Sequence, residues 1–510
     1  MVETEVHATN LNSTQRDKVK ANIQQAGPIH TVSKKITPQK RKKKLLLISP
    51  PTPQYHATMF PMGLAYISAI LKQHNFQVRA IDKHSSSFED VDKYIKEYKP
   101  SFVGITCLTG GRHATMKVVK MVKDYNPKIP IILGGPHATA LPEHILRHYP
   151  VDIIVLGEAE ITTLELTDAL VHGKPLSEVK GIIYKEVKNG IVNIYLNPSR
   201  PYLDDLDVLP FPDLEHYDFS TYKKIDMFDK KGMCMELISS RGCPYDCKFC
   251  STKEFWTRRY RQRSAKNVVD EIEMLYKKYG VKIFNFADDL FSMNQQRAIE
   301  ICQEIVKRKL PIVWSAQSRV NCVSDELCQW LKKANCVLMQ FGIESGNQGM
   351  IDRIGKRITV EQAKEAFRLC HKYGIRPGAY FMVGNLGETD ATVQDSIKLI
   401  KEINPYRINV SIAVVYPESE YYTMMKEKGL ITDDYWLDEH KDIPVLSIEY
   451  TVEQMNKWRQ QILFAFLKQK GVTYSLKKFL KTPKRDLVQF SVNYVKSKLG
   501  VKMSDEDVHV

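Results

Sequence analysis

Twice along the chain, short apolar runs alternate with helical patterns, and that order admits few folds. Leu45-Leu46-Leu47-Ile48 is an apolar run stopped by Ser49-Pro50-Pro51. Further runs lie at 77–81, 102–107, 130–133 and 153–156, with helical patterns at 62–74, 89–97, 113–124 and 142–148. Runs without polar alternation mark strands buried on both faces, and strands alternating with helices mean βαβ units around a parallel sheet. Residues 44–195 are therefore expected to form an α/β domain of Rossmann or flavodoxin type. A second alternation occupies 236–430. Its candidate strands are Glu236–Ser239, Lys282–Phe286, Ile312–Ala316, Val337–Gly342, Arg376–Val383 and Arg407–Val415. Its candidate helices are 265–279, 295–308, 324–333, 360–373 and 389–403. Six βα repeats are too few for a closed eight-stranded barrel and suit an open, partial (β/α)6 barrel of the TIM type.

Between the two blocks, residues 196–235 carry Pro198, Pro201, Pro210 and Pro212 among acids and aromatics, which predicts an ordered linker without regular structure. Residues 431–510 are expected to be a small helical region, where Met455, Trp458, Ile462 and Phe466 recur at spacings of three and four. That stripe reads as packing. Residues 1–43 are polar, lack periodicity and run into Lys40-Arg41-Lys42-Lys43-Lys44, the pattern of a disordered basic tail.

Charge narrows the function classes. The formal net charge of +15 sits at the two ends. Residues 1–44 hold ten Lys/Arg against three Asp/Glu, and residues 451–510 hold twelve against five, leaving the middle near neutral. A nucleic-acid enzyme could carry such a basic stripe, yet charge runs are usually solvated faces, so neither nucleic acid nor a membrane surface is called for. No apolar run approaches the roughly 18 residues of a spanning helix, and no signal-like apolar region opens the chain. A cytoplasmic enzyme is the expectation.

Cysteine usage points to chemistry. Nine of the ten Cys fall between Cys234 and Cys370, and three fall in Ser239-Ser240-Arg241-Gly242-Cys243-Pro244-Tyr245-Asp246-Cys247-Lys248-Phe249-Cys250. Thiols stay reduced in cytoplasm, so tight spacing reads as metal binding. C-x3-C-x2-C directly after a strand offers three thiolates where a cubane iron–sulfur cluster wants four, which leaves one iron for another ligand. Structural zinc wants four N/S ligands, and no second C-x2-C pair or nearby His supplies them. Cys234 lies outside the spacing.

The loop resembles that of the radical S-adenosylmethionine (SAM) superfamily. The resemblance implies that Cys243, Cys247 and Cys250 bind a [4Fe–4S] cluster whose open iron is chelated by SAM, with Phe249 near the adenine. It extends to Phe286-Ala287-Asp288-Asp289-Leu290-Phe291 after the second strand, Gly342-Ile343-Glu344-Ser345-Gly346 after the fourth and Gly384-Asn385-Leu386-Gly387-Glu388-Thr389 after the fifth. Barrel enzymes place polar groups of their sites at C-terminal strand ends. Asp288 and Glu344 suit the cationic groups or ribose diol of SAM, Arg319 suits its carboxylate, and Gln317 and Ser345 complete the expected set. Tyr416-Pro417-Glu418-Ser419 departs from the Pro-Gly-Thr of many relatives.

The first block resembles the cobalamin (B12)-binding domain fused to one large radical SAM class. The matching pieces are Pro61-Met62-Gly63-Leu64, Asp82, Gly104-Ile105-Thr106, Gly134-Gly135-Pro136-His137 and Gly157-Glu158-Ala159-Glu160. Ligands of doubly wound sheets sit beyond the C-terminal strand ends. The expected cobalamin-binding residues are Gly63, Thr106, Thr109, Gly134, Gly135, His137, Gly157 and Glu158. Ala159 replaces a Gly common in relatives. The Asp-x-His-x-x-Gly signature is broken at Ser87, so no residue is assigned to cobalt and His137 is taken only as a loop residue. The resemblance implies a cobalamin-dependent radical SAM enzyme that methylates an unactivated carbon. Its alternative is a non-methylating rearrangement or cyclisation such as tetrapyrrole ring formation. The implied partners are a small-molecule or peptide substrate and an electron donor such as flavodoxin or ferredoxin.

Overall fold

A computed structural model describes residues 43–51, 60–82, 87–189, 191–218, 226–227 and 230–481. The expected basic tail lies outside the described residues except at Lys43, as does everything beyond Lys481. The chain divides into two compact units, Met1–Arg241 with Glu254–Asn267, and Gly242–Lys253 with Val268–Val510. Among the described residues no helix is long and apolar enough to cross a membrane.

The first unit is built on β1 (Lys44–Ile48), β2 (Gln77–Ile81), β3 (Phe102–Thr106), β4 (Ile131–Gly134) and β5 (Ile153–Val155), all mutually parallel. Leu45, Leu46, Leu47 and Ile48 are each at most 2% exposed, as a strand covered on both faces requires. Each such side chain contributes roughly 1.5–3 kcal/mol by burial. The sheet order is β2-β1-β3-β4-β5-β6-β7, so chain order reverses beside β1, the place where open α/β sheets hold ligands. The last two members, β6 (Ile182–Lys188) and β7 (Ile191–Leu196), form an antiparallel hairpin that the periodicity did not reveal. Their charged, half-exposed residues blur the alternation on which strand prediction depends.

The Pro-rich stretch after β7 belongs to this unit. Tyr202, Leu203, Leu206, Leu209, Leu214 and Tyr217 are buried, and Asp213 N donates to the Ala65 carbonyl at 3.0 Å. The described residues of the expected linker up to Asp218 thus pack within the first unit. The linker also contains a two-residue hairpin, β8 (Asp226–Met227) with β9 (Lys230–Lys231), and it leads into β10 (Cys234–Leu237). The first strand of the second block therefore sits two residues earlier than Glu236–Ser239. Next, β11 (Ser240–Arg241) pairs antiparallel with β12 (Arg261–Gln262).

In the second unit, β13 (Ile283–Phe286), β14 (Val313–Ser318), β15 (Cys336–Glu344), β16 (Arg376–Val383) and β17 (Arg407–Ile412) run side by side in chain order, all parallel. Helices 295–307, 325–333, 360–372 and 390–403 follow these strands in turn. One sheet face packs on them: Phe341 meets Phe367 at 5.6 Å between ring centroids, and Trp314 Nε1 donates to the Ala334 carbonyl at 2.7 Å. The final helix, Val452–Lys481, buries Met455, Trp458, Ile462 and Phe466 to 3% exposure or less, as the stripe predicts, and Gly471 interrupts it at φ 79°.

Candidate active site

Backbone bonds shape the cysteine loop. Lys248 N donates to the Ile354 carbonyl, Cys250 N to the Cys247 carbonyl, and Glu420 N to the Lys248 carbonyl, at 3.0, 3.0 and 3.1 Å. Cys247 is buried, and Cys243 and Cys250 are half-buried. Burial pushes the Cys243 thiol up to about 11, with Asp289 and Cys250 adding to the rise and Arg319 opposing it. Burial also raises Cys250, against a Thr252 hydroxyl 2.7 Å away. Three thiols on one loop make a soft donor set of the kind an iron–sulfur group takes, and such a group, when bound, would displace their protons against the burial that favours them.

The residue expected to meet a carboxylate is otherwise employed. Arg319 is buried, its guanidinium lies 3.5 Å from the centre of the Tyr245 ring, and its Nη1 stands 3.9 Å from Cys247 Sγ. It also donates to the Lys356 and Arg357 carbonyls and to Asn321 Oδ1. Arg319 therefore ties the cysteine loop to the 355–357 loop. The cation beside Glu344 is Lys356, whose Nζ donates to Glu344 Oε1 at 2.7 Å and lies 5.7 Å from the Phe249 ring centre. Sequence reasoning missed Lys356, because a lone lysine after a short helix carries no motif.

Glu344 reaches this position through its backbone. The register slips between Gly342 and Glu344, and Glu344 takes φ 71°, an uncommon and costly state for a residue with a Cβ. Gly342 makes room: a Cβ there would stand 2.5 Å from Glu344 Oε1 and 2.7 Å from Lys356 Nζ.

Adjacent acids diverge. Asp288 is 2% exposed and lies 3.9 Å from Arg297, whereas exposed Asp289 is the carboxylate that influences Cys243 and Cys250. Both lie past the end of β13, before helix 295–307, and the sequence reading named Asp288, the buried member. Gln317 is half-buried on β14, in register with Gln340. Ser345 is buried and accepts from Asn347 N at 3.2 Å. Glu388 accepts from Gly384 N at 2.5 Å, and burial pushes its carboxyl up to about 7.

In the first unit, Thr106 and Gly134 end β3 and β4, Gly63 opens the helix after β1, and Gly157 follows β5. A Cβ at Gly63 would meet nothing within 4 Å, and one at Gly134 only the Val155 carbonyl at 4.0 Å. These bare surfaces beside the order reversal suit a broad, flat ligand. Gly135 differs: at φ 97° its Cβ would stand 2.9 Å from the Cys107 carbonyl. Thr109 is buried at the head of a single 3-10 turn. His137 is buried inside helix 136–140, and burial, with repulsion from Arg112, lowers its pKa to about 3. Asp82 is buried, and the next residues, Lys83 and His84, lie outside the described ones.

Glu158 is occupied by protein. Its carboxylate pairs with Arg241 and Arg261, both at 2.8 Å, while Arg241 also reaches Glu160 at 2.6 Å, and all four side chains are under 9% exposed. Arg261 donates as well to the Leu203 carbonyl and stacks 4.7 Å from the Tyr202 ring centre. Two acids of the Gly-Glu-Ala-Glu piece thus hold β11 and β12, and Cys243 follows β11 by two residues. The separate acids Glu158 and Glu160 gave no sign of such a brace in the sequence.

Known proteins resemble the chain in two stretches. Residues 237–400 match the radical SAM superfamily, and residues 54–167 match the B12 binding domain. An uncharacterized methyltransferase of Pyrococcus horikoshii, PH0819, is 33% identical over 432 residues, covering 83% of this chain and 92% of that protein. The anaerobic magnesium-protoporphyrin IX monomethyl ester cyclase of Rubrivivax gelatinosus is 32% identical over 382 residues, 73% of this chain and 67% of that one. The structure of the radical SAM methyltransferase TsrM from Kitasatospora setae, with cobalamin and a [4Fe–4S] cluster bound, superposes with a TM-score of 0.64 at 19% identity, over 76% of this chain and 78% of that one.

Proposed function

Because the chain belongs to the radical SAM enzymes that carry a B12-binding domain, we propose that it is a cobalamin-dependent C-methyltransferase acting on a small molecule. When bound, the [4Fe–4S] cluster supplies the electron that cleaves SAM to methionine and a 5′-deoxyadenosyl radical, and cobalamin supplies a transferable methyl group. The observation that carries the reading is three thiols on one loop, Cys243, Cys247 and Cys250, beside the Lys356–Glu344 pair.

The roles of this chain's residues follow from charge and position. The three cysteines would hold the cluster through their thiolates. Arg319 fixes the loop and sets a positive charge beside Cys247. Lys356 is the ammonium placed to meet a carboxylate, Glu344 accepts from a ribose diol, and Asp289 faces the cationic groups. In the first unit Gly63 and Gly134 leave space for a macrocycle, while Glu158 braces rather than binds. Gln317, Ser345, Thr106, Thr109, Gly135, His137 and Gly157 shape the two sites through their backbone and packing. A small reductant of the flavodoxin or ferredoxin type, in a reducing cytoplasm, supplies the electron.

Identity to the Rubrivivax cyclase favours one second reading, a radical cyclisation on the same framework. Anaerobic reconstitution with iron, sulfide, hydroxocobalamin, SAM and a reductant tests both. Methylation yields 5′-deoxyadenosine together with a product one methylene unit heavier than its precursor. A product with an unchanged carbon count establishes cyclisation instead.

A further inference from the structure

The barrel strands of the second unit have two faces, and the one turned away from the helices is built in an unexpected way. Closed barrels fill that interior with bulky branched residues. Here the register sets Gln317 beside Gln340, Gly378 and Arg407, and the next layer sets Gly342 beside Tyr380 and Asn409. Gln340 Oε1 accepts from the Tyr380 hydroxyl at 2.7 Å and from Arg407, so these three side chains share one face. Below them Ser315 Oγ donates to Asn285 Oδ1 at 2.6 Å.

On the outermost strand the same face reaches solvent. On β17 the alternation is strict: Ile408, Val410 and Ile412 are buried, and Asn409 and Ser411 between them are exposed. Tyr380 and Met382 on β16 are half-buried. Amides and hydroxyls on such a face lose water when a ligand covers them, and they recover the loss only if the ligand hydrogen-bonds to them. Gln340 Oε1 is taken by Tyr380 and Arg407, and Ser411 Oγ donates to the Phe381 carbonyl at 3.3 Å, so a hydrocarbon occupant would strand the exposed Asn409 amide above all, and a site made this way rejects a ligand that lacks the matching groups far more strongly than an apolar pocket rejects an extra hydroxyl.

We propose that the substrate is a hydrophilic, water-soluble small molecule, held by hydrogen bonds to Asn409, Ser411 and the Tyr380 hydroxyl oxygen above the buried Gln340, and not a lipid or other water-insoluble molecule. The inference rests on the methyltransferase reading above and narrows its substrate class. The test gives reconstituted, full-length holoenzyme SAM with a deuterated methyl group, in separate incubations with the aqueous and the chloroform-soluble fractions of the source cells. The expected result is label in a solute of the aqueous fraction. Its unlabelled precursor, once purified, then binds the full-length protein, and Asn409→Leu and Ser411→Val, both at exposed positions, each weaken that binding at least tenfold. Label confined to the chloroform fraction, or equal binding by both variants, overturns the inference while leaving methyl transfer intact. Absence of 5′-deoxyadenosine from both incubations overturns the underlying reading, and the substrate class falls with it.

Discussion

Lys356 Nζ and Glu344 Oε1 meet at 2.7 Å, each on a side chain less than one-tenth exposed, at the end of a strand whose backbone is bent to bring them together. A buried pair of this kind is costly to break from one side, because the remaining charge is stranded, by about 3–5 kcal/mol. If Lys356 also meets the SAM carboxylate, Lys356→Met weakens SAM binding by at least about tenfold, or about 1.4 kcal/mol. Equilibrium binding of SAM to reconstituted protein measures it; unchanged affinity removes Lys356 from the site.

Gly342→Ala forces a methyl group into the space that the pair occupies. Overpacking of a filled site costs typically about 1–3 kcal/mol. The expected outcome is a lower denaturation midpoint together with weaker SAM binding. Gly378→Ala serves as control, since its Cβ would meet only flexible side-chain carbons at 3.2 and 3.4 Å.

Burial alone would raise the Glu158 carboxyl, but Arg241 and Arg261 outweigh it and hold the group below its ordinary 4.5. A depressed carboxyl contributes stability that is complete above the unfolded value and is lost as pH falls through the folded one. Glu158→Gln is therefore expected to lower stability at neutral pH by about 2 kcal/mol or more and to lose less than the parent protein below pH 4.5. Urea midpoints across that range decide it. Iron content per chain in the same variant reports whether the brace on β11 sets the cysteine loop.

Glu388 behaves oppositely. Its folded value near 7 lies above the ordinary 4.5, so its protonated form is favoured in the native state. That contribution is complete below 4.5 and is lost as pH rises through about 7. Glu388→Gln should flatten the fall in stability across this window, whose full depth is about 3 kcal/mol at 1.36 kcal/mol per pH unit. An unaltered slope would show that another group sets it.

Much of this was legible in the chain itself, for reasons that differ by residue. Leu45 to Ile48 announced a doubly covered strand because no polar residue interrupts them, and the C-x3-C-x2-C spacing announced a metal because thiols so close have few other uses. Contacts made across long sequence separations left no such trace. Lys356 follows Glu344 by twelve residues and Arg241 lies eighty-three beyond Glu158, so neither pair appears as a local pattern. Asp288 and Asp289 were indistinguishable as letters, and only their burial beyond β13 separates them. Arg319 was read as a partner for the SAM carboxylate, and in the fold its neighbours are the Lys356 and Arg357 carbonyls and a tyrosine face.

The central claim is that three cysteines leave one iron for SAM. Electron–nuclear double resonance on the reduced, anaerobically reconstituted protein, given SAM with a nitrogen-15 amino group, tests it most directly. The account predicts hyperfine coupling between that nitrogen and the cluster, lost in Cys247→Ala. A cluster without coupling, or zinc in place of iron at these thiols, would contradict it.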